Sequence, residues 1–139
     1  MTRLLVNIDV DDLEKGIDFY VQGLGLKVGR RFGAGAVELL GASSPVYLLL
    51  TGAGTPPFAG ATSQREFGRH WTPVHLDLAV TDLEPAVERA TSAGARLEGP
   101  IEDKAWGRLA KMADPFGHGF CILTFKGRGY DEIAVPEGE

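Results

Sequence analysis

One nine-residue pattern is written twice in this chain. Val6-Asn7-Ile8-Asp9-Val10-Asp11-Asp12-Leu13-Glu14 returns seventy positions later as Leu76-Asp77-Leu78-Ala79-Val80-Thr81-Asp82-Leu83-Glu84. After each copy comes a stretch of helical periodicity, then a glycine turn, Gly25-Leu26-Lys27-Val28 and Gly94-Ala95-Arg96-Leu97. A repeat of that span in 139 residues means two copies of one structural unit. Paired units of this kind face each other across a pseudo-twofold axis. Each position in one copy therefore has a counterpart in the other.

The secondary-structure signals repeat as well. Residues 3–10 alternate with β-type residues and read as a strand. Asp12 is placed to cap a helix in which Leu13, Ile17 and Tyr20 or Val21 recur up to Leu24, and Gly25 closes it. Strands are expected over 27–32, 36–40 and 46–51. In the second copy a strand over 74–80 precedes a helix capped by Thr81 or Asp82, with Leu83, Ala86, Val87 and Ala90 as its buried stripe. Strands follow over 96–101, 108–113 and 120–125. The Asp114-Pro115-Phe116-Gly117-His118-Gly119 run is a turn, and turn chemistry accounts for His118. Glu102, Asp103 and Lys104 read as a solvated turn.

The order is thus βαβββ twice, an α+β fold. Its modules span 3–51 and 73–125, with a linker over 52–72 and a polar tail over 126–139, all in one domain of 1–139. Two such sheets set edge to edge curl into a cup, a mostly antiparallel mixed sheet with helices on the outer face. The concave side is a natural small-molecule site. The linker is rich in Gly, Pro, Thr and Ser, and long enough for part of it to lie over a pocket mouth or a partner subunit. In the tail, Tyr130 and Ile133 are placed to pin the first half, and Pro136 to Glu139 reads as loose.

Composition narrows the partners. The formal net charge is −5 and no basic cluster exceeds Arg30-Arg31, so a nucleic-acid partner is not expected. The strongest apolar run, Val46 to Leu50, is too short to span a bilayer, so no membrane partner is expected either. No secretory leader is visible at Met1 to Leu5, and the one cysteine, Cys121, forms no internal disulfide. Both suit a cytoplasmic location. Gly33-Ala34-Gly35 and Gly52-Ala53-Gly54 lack the third glycine and following helix of a phosphate loop.

The βαβββ repeat, the Val10-x-Asp12-Leu13, Phe19-Tyr20 and Leu24-Gly25-Leu26 run, and the late Asp114-Pro115-Phe116-Gly117-His118 turn together resemble the vicinal oxygen chelate superfamily. That group includes glyoxalase I, extradiol dioxygenases, fosfomycin and bleomycin resistance proteins, and methylmalonyl-CoA epimerase. The resemblance covers about residues 3–125. It implies the cup, but it does not choose among the chemistries run on that scaffold.

In the metal-dependent members, as the resemblance implies, His, Gln or Glu side chains on the first and last strand of each module hold one divalent ion. The first strand of module two supplies His75, which matches. Its counterpart in module one is Leu5, and the last strand there offers Leu48 or Leu49. The last strand of module two places Cys121 where a Glu is expected. A leucine ligates nothing, and one Cys with one His does not make a hard oxygen-chelating site. No metal and no cofactor are therefore expected.

Alternation along the strands places Asn7, His75 and Asp77 on the cup face, with Leu5, Tyr47, Leu49, Cys121 and Leu123 as an apolar wall. His75 with Asp77 forms either a base and its orienter or a polar network with no chemical role. Trp106 and Arg108 are candidates to stack on and pair with an anionic or aromatic ligand, or Trp106 simply packs. Glu38 faces in or out, and parity alone does not say. His70 and Trp71 either fold over the cup or anchor a hinge.

The expected ligand-binding set is Asn7, Tyr47, His75, Asp77, Trp106, Arg108 and Cys121. The leading reading is a metal-free protein of bleomycin-resistance type that binds a small organic molecule and forms a homodimer. The alternative is a divergent metal-dependent lyase, isomerase or dioxygenase. Whether the chain is an enzyme stays open at this point.

Overall fold

The computed structural model describes residues 1–136. The first half of the chain forms β1 (Val6–Val10), α1 (Leu13–Asp18), a π-helical turn (Phe19–Gly23), β2 (Lys27–Phe32), β3 (Ala36–Leu40) and β4 (Val46–Leu50). The second half forms β5 (Leu76–Ala79), α2 (Leu83–Ser92), β6 (Arg96–Leu97), β7 (Glu102–Lys104), β8 (Gly107–Ala113) and β9 (Gly119–Phe125). A 3₁₀ turn, Gly129–Glu132, follows. The sheet orders are β1-β4-β3-β2 and β5-β9-β8-β6, with β7 also paired to β8. In each sheet the first strand runs parallel to the last and the other pairs are antiparallel. The same topology is built twice, an α+β fold of two open mixed sheets that form a cup.

Period-two alternation decides which face is covered. In module one Val10, Val37, Leu39, Val46 and Leu48 point to the helix side and are buried with Leu13, Ile17 and Tyr20. In module two Ala110, Met112, Phe120 and Ile122 bury against Leu83, Val87 and Ala90 of α2. These groups form one continuous apolar core across both modules.

The helices differ in one instructive way. Asp12 caps α1 by accepting the Lys15 N–H at 3.0 Å, as expected, whereas the Asp82 side chain makes no cap bond. Gly25 and Gly94 both turn the chain out of the helix at positive φ, 77° and 118°. Yet Gly25 lies one residue further from its helix start than Gly94 does. The π turn at Phe19–Gly23 absorbs that extra residue, because a wider i→i+5 turn accepts an insertion without losing the face that packs.

Several boundaries depart from the sequence reading. β1 begins at Val6, leaving Leu4 and Leu5 exposed. The strand expected over 96–101 stops at Leu97, since Gly99 turns at φ 89° and Pro100 offers no N–H to the ladder. Glu102, Asp103 and Lys104 are not a turn but the short strand β7, in register with Leu109, Arg108 and Gly107. Charged side chains suit such an edge, where they discourage pairing with other chains. In the tail, Tyr130 packs on Trp106 and Phe125 while Ile133 stays exposed. The expected loose end at Pro136–Glu139 falls mainly on 137–139, outside the described residues.

Polar contacts tie the modules together. The Tyr20 hydroxyl donates to Asp114 Oδ2 at 2.6 Å, and Asp114 Oδ1 accepts the N–H groups of Phe116 and His118. His118 does more than form a turn: its Nε2 lies 2.8 Å from the Asp9 carbonyl oxygen. Arg89 Nε donates to the Gln22 carbonyl at 2.8 Å. The linker is anchored to the cup by Arg65, whose Nε donates to Asp9 Oδ2 at 2.8 Å. No helix among the described residues is long and apolar enough to cross a membrane.

Candidate functional site

Strand register converts alternation into rows of side chains across the open face of each sheet. In module one Asn7 pairs with Tyr47 and Tyr47 with Glu38. In module two Asp77 pairs with Cys121 and Cys121 with Lys111. The repeat makes these rows equivalent, so Asn7 answers to Asp77, Tyr47 to Cys121 and Glu38 to Lys111. β1 and β5 border one apolar cavity of about 200 Å³, lined by Val6, Ile8, Leu76 and Leu78 among others. That cavity lies on the helix side of the strands, the face opposite the two rows.

On the module-two side, His75 Nε2 lies 3.3 Å from Asp77 Oδ1. The donor atoms of His75, Asp77 and Cys121 all fall within 4.8 Å of one another. Burial, reinforced by the Asp77 charge, pushes the Cys121 thiol up to about 11, so the sulfur stays protonated at neutral pH. The Trp71 ring stands edge-on to His75, with centroids 5.6 Å apart. It lies over Gly119, where an added Cβ would meet the indole at 2.7 Å. Lys111 and Lys104 share Glu102, at 3.3 and 3.0 Å.

The module-one side has a different character. Glu38 is buried, and Arg30 reaches it three times: its backbone N–H and Nε donate to Oε1 at 3.1 Å each, and Nη2 to Oε2 at 2.7 Å. The Tyr47 hydroxyl donates to Oε2 at 3.1 Å. These contacts, the Arg30 side-chain hydrogen bonds above all, hold the Glu38 carboxyl down at about 2. The Arg30 guanidinium also sits 5.4 Å from the centroid of the Phe32 ring, which lies 6.3 Å from that of Tyr47.

Of the residues expected at the site, the fold gathers Asn7, Tyr47, His75, Asp77 and Cys121 on the open face. It does not bring Arg108 there. Arg108 pairs with Thr124 in register, on the opposite face from Lys111 and Cys121, and its charge is taken by Glu84 of α2 and by Asp103. Trp106 is drawn into an aromatic cluster, 6.0 Å from Phe125 and 5.1 Å from Tyr130. Sequence parity left Glu38 open, and Trp71 was assigned no firm role. Both line the cup, joined by Arg30, Phe32 and Lys111. An arginine two residues before an aromatic on one strand face was the signal for the first group. Trp71 carries no periodic signal, because it lies in the linker.

The donor set does not fit the four-ligand site that the superfamily resemblance implies. Leu5 and Leu49 supply no donor, Cys121 holds its proton, His75 and Asp77 both come from module two, and the Glu38 carboxylate of module one is engaged by Arg30 and Tyr47. A larger cavity, about 880 Å³, lies elsewhere, between the start of α1 and the Asp114 turn. It is an open cleft lined by Asp12, Lys15, Asp18, Arg69 and Arg96 among others.

Comparison with known proteins places this geometry. A model of the glyoxalase-like domain matches residues 5–123. An uncharacterised protein of Mycobacterium tuberculosis is 34% identical over 117 residues, covering 81% of this chain and 68% of that protein. The genomically encoded fosfomycin resistance protein FosX of Listeria monocytogenes superposes with a TM-score of 0.71 at 14% identity, covering 96% of this chain and 98% of that one. TnmS3, an antibiotic binding protein from Streptomyces sp. CB03234, superposes at 0.64 with 24% identity, covering 91% and 97%. At such identities the structural likeness speaks for the fold alone.

Proposed function

The chain belongs to the glyoxalase-like domain family, and on that footing we propose that it binds a small organic molecule in its cup without a metal ion. One observation carries this reading. The two polar rows and the rings of Phe32, Tyr47 and Trp71 are in place on the open face, while two of the four chelating corners are leucines. Such a surface recognises by stacking and hydrogen bonding. FosX is a fosfomycin resistance protein and TnmS3 an antibiotic binding protein, so this fold is compatible with handling a bioactive small molecule. In this reading His75 is a hydrogen-bonding group oriented by Asp77. We also propose a cytoplasmic homodimer. The exposed Val28 on edge strand β2, on the face away from the cup, is an apolar residue placed to support association.

The test is a thermal-shift screen of aromatic and cationic compounds, followed by titration of each hit. The expected outcome is a hit whose affinity is unchanged by EDTA and falls about tenfold or more in His75→Ala, the loss of one good hydrogen bond to a polar group. A hit lost on adding EDTA sinks the proposal.

A metal-dependent reading is favoured by the convergence of His75, Asp77 and Cys121. It requires the Cys121 thiol to give up its proton. The protonated state of that sulfur is why the metal-free reading is preferred.

A further inference from the structure

Glu38 and Arg30 do not form an ordinary surface ion pair. In the Arg31–Glu14 pair both side chains are well exposed, 50% and 71%. Here the acid is 8% exposed and the base 68%. The carboxylate is fixed from below, against the backbone of β2: a Cβ on Gly29 would meet Glu38 Oε1 at 2.7 Å. Two of its hydrogen bonds, from the Arg30 backbone N–H and the Tyr47 hydroxyl, do not involve the guanidinium at all. When the Arg30 side chain swings into water, the carboxylate keeps its position and two of its donors.

What the guanidinium vacates is a box with three kinds of wall: a fixed anion, a hydroxyl and the face of Phe32, itself 46% exposed. That combination selects a cation carried on a flat or apolar body. The pseudo-twofold shows the contrast. The equivalent position in module two is Lys111, a base that shares Glu102 with Lys104, so matched places hold an acid in one module and a base in the other, each paired within its own module.

We infer that the Phe32–Glu38–Tyr47 corner is a recognition site for an organic cation, an ammonium or amidinium group on an apolar body, which Arg30 occupies in the ligand-free chain. This rests on the proposal that the cup is the binding site, and it names the class of ligand. Arg30 is a self-ligand that sets a threshold. A cation with only charge to offer does no better than the guanidinium it displaces, whereas one carrying a ring gains the contact with Phe32 and Tyr47 as well.

Benzamidinium is a suitable probe and neutral benzamide its control, titrated into the full chain by calorimetry. Arg30→Ala, which empties the box, is expected to bind benzamidinium about tenfold more tightly than wild type, the scale of one charge-assisted hydrogen bond. Benzamide is expected to bind none of the proteins. Adding Glu38→Gln to Arg30→Ala is expected to abolish the gain. Arg30→Gln keeps the chain length and serves if the alanine variant does not fold. The wild type gives an independent check by NMR: saturable movement of the Arg30 Nε–H signal on adding benzamidinium, with none for benzamide. Equal binding by wild type and both Arg30 variants, a gain that survives Glu38→Gln, or an Arg30 signal that never moves overturns the inference. A metal-independent hit from the screen that needs His75 would survive such a result, so the two proposals fail separately.

Discussion

Cys121 and Glu38 show how the same open face treats two ionisable groups in opposite ways. Desolvation keeps the Cys121 thiol neutral, whereas Arg30 keeps the Glu38 carboxylate charged far below its ordinary 4.5. The second fact fixes a pH dependence. The folded state holds fewer protons on Glu38 than the unfolded state does, so the stabilisation is complete above about pH 4.5. It is lost as pH falls through 4.5 toward 2. Urea titrations between pH 6 and pH 2.5 are expected to show wild type losing stability more steeply than Glu38→Gln over that window. Parallel acid limbs would contradict the assignment. At the module interface, Tyr20→Phe removes the one side-chain donor to buried Asp114 among the described residues and leaves the Phe116 and His118 backbone donors. The expected cost is about 1–3 kcal/mol by chemical denaturation, the range for a hydrogen bond to a buried charged group. Nothing in the sequence announced that Tyr20 and Asp114 meet, because their partnership depends on how the modules dock.

Elements explain both what the sequence made legible and what it hid. Strand alternation was readable because a period of two sends Val6, Ile8 and Val10 to the helices and Asn7 and Asp9 to the cup. It assigned Asn7, Tyr47, His75, Asp77 and Cys121 to one face on that basis alone. Arg108 was misplaced because the reading looked at its position near the rim rather than its parity with Lys111. Glu38 stayed ambiguous because its face depends on cross-strand register with Tyr47, which one strand's sequence does not contain. β7 was misread because three consecutive charges resemble a turn until an edge strand needs them. Trp71 belongs to no element, and only the absence of a side chain at Gly119 lets its ring lie down on β9. Gly119→Ala is expected to lift that ring from beside His75. The fold should change little, since the indole is half exposed, whereas affinity for a screened ligand should drop severalfold. Unchanged affinity in that variant would remove Trp71 from the site.

For the molecule as a whole, the duplicated unit is the dominant fact. It predicts matched sheets, matched helices and a cup with paired positions, and the fold supplies all three. Duplication also lets the two halves diverge. One carries His75 and a thiol; the other carries leucines at the matching corners and the Arg30–Glu38 pair. A scaffold whose halves specialise this way is suited to an asymmetric ligand, one end cationic and the other hydrogen-bonding. At this scale light scattering should report a dimer whose population falls when Val28 on edge strand β2 is replaced by Asp; a monomeric wild type contradicts the proposed assembly. The central claim, that the cup works without a metal, is tested most directly by metal content. Full-length protein purified without chelator, incubated with Zn, Ni, Mn and Fe(II) and then dialysed, is expected to retain far less than one equivalent of any of them per chain. One tightly held equivalent that disappears in His75→Ala would contradict it.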